Sequence, residues 1–264
     1  MARALWLCCV SIIAGCVSGG GDKSPAVFGG EGATIASPDE RPLPADGKNA
    51  QADAGPCGAK APAGDVKLLD DFEDGDAKLF KTFQREGWWY AASDNTEGST
   101  ISPQGQFVAE LLAAGESDKE NRYAAHLKAA GQTQWGVAWS TSLNWVDKGV
   151  RCPFNASSFG GVKFRAKGPG TVRVSFNMPE TVPKDNGGIC TEGCWDHYGK
   201  PFLLSDKWED YTVRWDKLQQ GGWGAQVRFD PTRLIALNFS ADVKSLPVDF
   251  WVDDIEFLPA DGAK

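Results

Sequence analysis

The chain has 264 residues and carries 27 Lys and Arg against 35 Asp and Glu, a net charge of -8. A protein that grips a phosphate backbone needs a basic patch, so nucleic acid is set aside as a partner. A charged fraction of 23% beside a hydrophobic fraction of 42% is that of a folded domain rather than of a wholly disordered chain.

Arg3 gives a short positive start, followed by an apolar run from Ala4 to Gly15. That run is shorter than the ~20 residues a membrane span needs and suits the core of a signal peptide. It ends in Ile13-Ala14-Gly15-Cys16, which resembles the lipobox of bacterial lipoproteins. The resemblance implies that Cys16 is the lipidated first residue of the mature chain; ordinary secretion with cleavage near Gly15 is the alternative. Val17 follows where an inner-membrane signal would place Asp, so the expected location is the outer membrane or cell surface. Residues 17 to about 64 are Gly, Ala, Pro, Ser and Asp with few large apolar side chains. Such a segment cannot bury enough surface to offset its ordering entropy and reads as a tether. The expected organisation is a signal peptide over 1–15, a tether over 16–64, one domain over 65–259 and a tail over 260–264.

The domain opens on Val66 to Phe72 and runs into an acidic cluster, Asp70-Asp71-Phe72-Glu73-Asp74-Gly75-Asp76. Period-two alternation then marks Arg122 to Lys128, Trp135 to Leu143, and Gly161 to Lys167, whose Val162, Phe164 and Ala166 point inward. Gly168-Pro169-Gly170 is a turn, and Thr171 to Met178 reads as the return arm of a hairpin. Further strands are expected at Trp208–Trp215, Arg233–Ser240 and Val248–Leu258, the last holding a second acidic cluster around Asp253 and Asp254. Many short strands with Gly and Pro punctuation predict an all-β fold, a two-sheet β-sandwich or barrel.

The two acidic clusters lie within or beside apolar runs, where carboxylates need a positive partner. First and last strands often pair, so the economical partner is a calcium ion tying the ends of the sandwich together; a bare acidic strand end is the alternative. If the middle strands share a sheet, its outer face carries Arg173, Ser175 and Asn177, then Ala236, Asn238 and Ser240, then Ala138, Ser140 and Ser142. Such a face suits a glycan or is an ordinary solvated surface.

Cys57, Cys152, Cys190 and Cys194 allow three disulfide pairings. Cys190 and Cys194 share one Gly-rich loop and are paired first, which leaves Cys57–Cys152 to pin the tether to the domain; a zinc site is the competing reading.

Asp71-Phe72-Glu73-Asp74-Gly75, Gly87-Trp88-Trp89-Tyr90 with Asp94, Cys194-Trp195-Asp196-His197-Tyr198-Gly199-Lys200, Gly221-Gly222-Trp223-Gly224 and Phe250-Trp251-Val252-Asp253-Asp254-Ile255 occur in that order. The series resembles the family 11-like carbohydrate-binding modules, galactose-binding-domain-like jelly rolls. The resemblance covers about 66 to 258 and implies a jelly-roll sandwich with a structural calcium. Its ligands would be Glu73, Asp253 or Asp254, and oxygens near Asn121 and Arg122.

For sugar binding, the loop aromatics Trp88, Trp89, Tyr90, Trp195, Tyr198 and Trp223 are candidate stacking platforms. Asp94, Arg173, Asn177, His197 and Asn238 are candidate polar contacts, and Trp139, Trp208 and Trp251 are assigned to the core. Glycoside hydrolysis needs two facing carboxylates. Glu110, Glu180, Glu192 and Glu209 sit in no motif that marks an acid or a nucleophile, and no Gly-x-Ser-x-Gly elbow occurs, so no catalytic residue is assigned. His126 alternates with apolar neighbours and is expected to be a satisfied structural residue. The expected function is capture of a polysaccharide or oligosaccharide by a lipid-anchored monomer. A protein–protein or assembly module on the same fold is the alternative, with a glycoside hydrolase behind both.

Overall fold

In the computed structural model the first and last strands lie side by side. β1 (Leu68–Asp70) runs antiparallel to β14 (Val248–Pro259), with Leu68 opposite Glu256 and Asp70 opposite Ile255. The structure describes Cys57 and residues 66–260, apart from 83, 105–106, 118–119, 147–149 and 246. Cys16, the signal segment and nearly all of the expected tether lie outside the described residues.

β14 is a central strand of a seven-stranded sheet. Its order is β12 (Glu209–Arg214), β9 (Phe159–Lys167), β14, β5 (Tyr123–Ala130) and β3 (Thr100–Ser102), with β1 added on β14 and β4 (Glu110–Leu111) on β5. A five-stranded sheet runs β11 (Tyr198–Leu203), β10 (Thr171–Asn177), β13 (Ala236–Ala241), β6 (Val137–Ser142) and β2 (Trp89–Ser93). β7 (Trp145–Val146) and β8 (Val150–Arg151) form a small ribbon. The strand pairs are antiparallel, and no α-helix occurs among the described residues. The expected β-sandwich is therefore the fold.

The core lies between the sheets. Val162 and Phe164 of β9 and Phe250 and Phe257 of β14 meet Val174, Phe176, Trp139 and Phe239 of the facing sheet. Phe164 and Phe239 touch edge to face at 5.1 Å, a favoured aromatic geometry.

The hairpin expected over 161–178 is corrected. β9 pairs with β12 and β14, whereas β10 pairs with β11 and β13. Gly168-Pro169-Gly170 therefore carries the chain across the core from one sheet to the other. Alternation cannot separate the two cases, because arch and hairpin both turn the same residues toward the interior. The backbone at Gly168 (φ +141°) passes so close to β14 that a Cβ there would meet the Asp249 carbonyl at 2.5 Å, a path that favours glycine.

β14 changes phase midway. Phe250 and Val252 are buried, and then Ile255 and Phe257. Its register against β9 shifts between Asp253 and Glu256, and Asp254 adopts φ +48°. The second acidic pair thus occupies a β-bulge, where the ladder is interrupted.

The same strand corrects the assignment of Trp251 to the core. With Phe250 and Val252 inward, Trp251 faces out and stacks on His126 at 3.7 Å. Trp208 also lies outside the core, between Arg165 and Lys167, with its ring centroid 5.4 and 5.2 Å from their charges. Trp139 is core, as expected, at 1% exposure. His126 is satisfied: its ring nitrogens lie 2.8 Å from Glu110 and 2.5 Å from Asp249.

Both disulfides expected from the spacing are present, Cys57–Cys152 and Cys190–Cys194.

Candidate functional site

The outer face of the five-stranded sheet is ordered by its register. One row crosses all five strands: Tyr90, Ser140, Asn238, Ser175 and Gly199. A second row is Ala92, Ala138, Ser240, Arg173 and Pro201, and a third places Ser142, Ala236 and Asn177 in line. Directly paired residues share a face, so the three outward sets read from the sequence do form one surface.

That surface is small and uncharged at its centre. Asn238 Nδ2 donates to Asn177 Oδ1 at 2.5 Å and to Ser175 Oγ at 3.3 Å. Ser140, Ser142, Ser175, Asn177 and Asn238 are all buried although they point away from the core. The Ser142 hydroxyl has no hydrogen-bond partner, a state that a buried polar group rarely keeps without a ligand or water.

Aromatics and one cation border the face. Trp89 points into the core, so Trp88 and Tyr90 alternate to the outer side at the β2 edge. Both are half-buried, and Trp88 meets Trp145 edge to face at 6.0 Å. At the other edge Arg173 lies across Gly199, where a Cβ would come within 2.9 Å of its Nε. Its Nη2 donates to the Gln219 carbonyl at 2.6 Å and to the His197 carbonyl at 3.2 Å. Burial holds the guanidinium below its ordinary pKa while Asp196 acts to raise it.

Several predicted contacts have other occupations. Trp89 is 2% exposed, stacks on Trp139 at 3.8 Å and donates from Nε1 to Asp70 at 2.7 Å; it is a core residue. Tyr198 lies opposite Phe176 on the inner side, and its hydroxyl donates to the Val227 carbonyl at 2.7 Å. Both belong to strands whose inward residues are aromatic, so their presence in Trp- and Gly-rich motifs was misleading. Asp94 closes a loop: it accepts from Thr96 N, Thr96 Oγ1, Gln134 N and Gly136 N. Burial opposes its charge, but these hydrogen bonds prevail and hold the carboxyl below its usual range. His197 places Nδ1 2.7 Å from Thr181 Oγ1. Burial pushes the imidazole down to about 3, so it stays neutral and fastens its loop.

Trp195 is half-buried, adopts φ +77° and meets His197 edge to face at 5.8 Å. Trp223 is 59% exposed. It rides on a turn whose amides are gathered by Asp196, a residue not among the candidate contacts read from the sequence. Its sequence signal was Asp196 two residues beyond Cys194, with a Gly-Gly-Trp-Gly run downstream.

The expected metal ligands gather at residues 121–123. Glu73 Oε1 accepts from Arg122 N at 2.5 Å and Tyr123 N at 2.7 Å, and Asp253 Oδ2 accepts from Asn121 Nδ2 at 2.9 Å. Asp253 is 1% exposed; burial first, then the neighbouring Asp254, pushes its carboxyl up to about 7. Asp254 lies between the two sides: its Oδ2 is 3.5 Å from Asn121 Nδ2 and 3.3 Å from Arg165 Nη1. A buried carboxylate so poorly compensated fits a hard cation. No cluster of three acidic, His or Cys side chains suited to a metal occurs among the described residues. Calcium held here would therefore draw further oxygens from backbone and water.

The candidate catalytic carboxylates sit on separate segments of the chain. Glu110 is tied to His126 and Glu180 to Arg233, while Glu192 and Glu209 are exposed.

No protein-family model matches the chain. Endoglucanase 3 of Fibrobacter succinogenes is 28% identical over 226 residues, covering 83% of this chain and 29% of that protein. The chain thus spans less than a third of that relative's length. Among solved structures, a family 11 carbohydrate-binding module from Clostridium thermocellum, in complex with a mixed-linked tetrasaccharide, is 18% identical; the match covers 74% of this chain and 95% of that one, with a TM-score of 0.44. A family 30 module of a cellulosomal cellulase from the same organism is 19% identical, with 71% and 99% covered and a TM-score of 0.43. These TM-scores lie below 0.5, and the β-sandwich is established by the chain's own two sheets.

Proposed function

We propose that the domain binds a polysaccharide or oligosaccharide without cleaving it, on the outer face of the five-stranded sheet. The observation that carries this is the row Tyr90–Ser140–Asn238–Ser175–Gly199, whose side chains are uncharged and hydrogen-bonding from Tyr90 to Ser175, with Arg173 lying across its Gly199 end. Four inter-strand spacings of ~4.8 Å make it about 19 Å wide, room for several sugar units rather than one. Side-chain amides and hydroxyls address sugar hydroxyls, while Trp88, Tyr90 and Trp223 at the borders offer apolar ring faces. Similarity over 226 residues to a protein named as an endoglucanase supports a glucan as the ligand class. Glu110 is engaged by His126 and Glu180 by Arg233, so neither is offered as a free acid or nucleophile, which supports binding rather than hydrolysis.

Lipid anchoring through Cys16 at the outer membrane or cell surface, with the domain acting as a monomer, completes the proposal. A calcium ion between Glu73 and Asp253 would supply a charge-compensating clamp on the first and last strands. Affinity electrophoresis in gels containing hydroxyethylcellulose, mixed-linkage β-glucan or mannan tests the main reading. Retardation in at least one gel, reduced by Asn238→Ala, is expected; free migration of the intact protein in all three overturns it.

A further inference from the structure

Trp223 is the only tryptophan exposed as a large apolar residue among the described residues, yet its turn is closely held. The buried Asp196 carboxylate accepts four successive backbone amides: Gly221 at 2.6 Å, Gly222 at 2.8 Å, Trp223 at 3.2 Å and Gly224 at 3.1 Å. Charge-assisted bonds of this kind are among the stronger ones a chain can make. Glycine is required around the carboxylate, since a Cβ on Gly224 would lie 2.6 Å from the Asp196 Cβ and 2.4 Å from the Gly193 carbonyl.

Asp196 is itself fixed from behind. The Cys190–Cys194 disulfide closes the loop just before it. Trp195 N donates to the Thr181 carbonyl at 2.8 Å, and Ala225 N donates to the Gly193 carbonyl at 2.7 Å. Gln220 seals the far side, donating to the Asp196 and Ala225 carbonyls at 2.7 and 2.9 Å. The turn joins the polar face at its edge, because Gln219 and Gly199 of β11 exchange backbone hydrogen bonds and Arg173 of β10 reaches the Gln219 carbonyl.

The core makes no use of the Trp223 ring, so the rigidity of its turn needs another reason. An indole on a loose turn would lose conformational freedom on stacking, and a preformed one avoids that loss. We propose that Asp196 is a positioning residue for glycan binding: its carboxylate, backed by the disulfide loop, sets the Gly221–Gly224 turn so that Trp223 stands as a preformed stacking surface at the β11 edge. This rests on the carbohydrate reading above.

A double-mutant cycle on the full chain, in the three glycan gels already named, tests it. Asp196→Asn and Trp223→Ala are each expected to weaken retention about tenfold, and the double variant no more than Trp223→Ala alone. A purely structural Asp196 would give additive losses, and that result, or wild-type retention in either single variant, overturns the proposal. Should Asp196→Asn fail to fold, Gly222→Ala replaces it. Gly222 has φ +82° and no atom within 4 Å of a Cβ, so the change strains only the turn; its loss must likewise vanish in the Trp223→Ala background. If the intact protein is retained by none of the glycans, the carbohydrate reading falls. Hydrogen exchange at Gly221–Gly224 in free protein then decides the positioning role. Faster exchange confined to that turn in Asp196→Asn shows that Asp196 sets the turn and that only the ligand was misassigned, and unchanged exchange overturns the positioning role as well.

Discussion

Asp70 accepts a hydrogen bond from the indole of Trp89 at 2.7 Å inside the sandwich. The first acidic cluster thus sends one carboxyl into the core, where Phe72 N donates to it at 2.9 Å. The buried guanidinium of Arg85, whose pKa Asp70 acts to raise, binds the Val66, Leu68 and Phe80 carbonyls nearby. Burial still dominates and pushes the Asp70 carboxyl up to about 8 from 3.8.

That shift sets a pH dependence. Below about pH 4 the carboxyl is protonated folded or unfolded and contributes no slope. Between about 4 and 8 the unfolded chain releases the proton while the fold keeps it, so this group lowers stability as pH rises. Above 8 the effect is complete. Asp253, raised to about 7, acts in the same direction. Asp70→Asn should flatten the slope in that window by up to about 1.4 kcal/mol per pH unit. It should also cost about 1–3 kcal/mol, because one of two donors loses its acceptor. Urea midpoints across pH 4–8 measure both.

Trp89 and Trp223 should behave oppositely. Trp89→Ala removes a ring stacked on Trp139 and should cost about 3–5 kcal/mol of stability. Trp223→Ala removes an exposed ring and should change stability by no more than about 0.5 kcal/mol, while weakening glycan binding about tenfold, or 1.4 kcal/mol. Denaturant melts and affinity gels on the two variants separate core from platform.

The two disulfides should differ in thermal effect. Cys57–Cys152 joins residues 95 apart, and Cys190–Cys194 joins residues 4 apart. Loop-closure entropy assigns about 4–5 kcal/mol to the first and about 2 kcal/mol to the second. Calorimetry on Cys57→Ser/Cys152→Ser and Cys190→Ser/Cys194→Ser should show the larger fall in Tm for the former. Equal shifts would contradict the assignment.

Calcium in excess should raise Tm relative to chelator, and the rise should vanish in Asp253→Ala. A ligand at one hundred times its Kd adds about 2.7 kcal/mol to the folded state. Identical melts with and without calcium would remove the cation from the proposal.

The amino-acid order by itself determined the all-β class and the inward and outward sets of β6, β9, β10 and β13, which follow from a period of two. For the cysteines it favoured Cys190–Cys194 and Cys57–Cys152 without excluding the other pairings, as the fold does. It could not decide which sheet a strand joins. β9 and β10 present the same alternation whether they form a hairpin or face each other across the core. Nor could it separate Trp89 from Trp223, since both sit beside glycines and differ only in what the folded chain brings against them. Trp89 meets Trp139 and Asp70; Trp223 meets solvent, held there by a carboxylate 27 residues earlier. Burial and long-range hydrogen bonding are properties of the assembled sheets, and they exist only once distant segments have met.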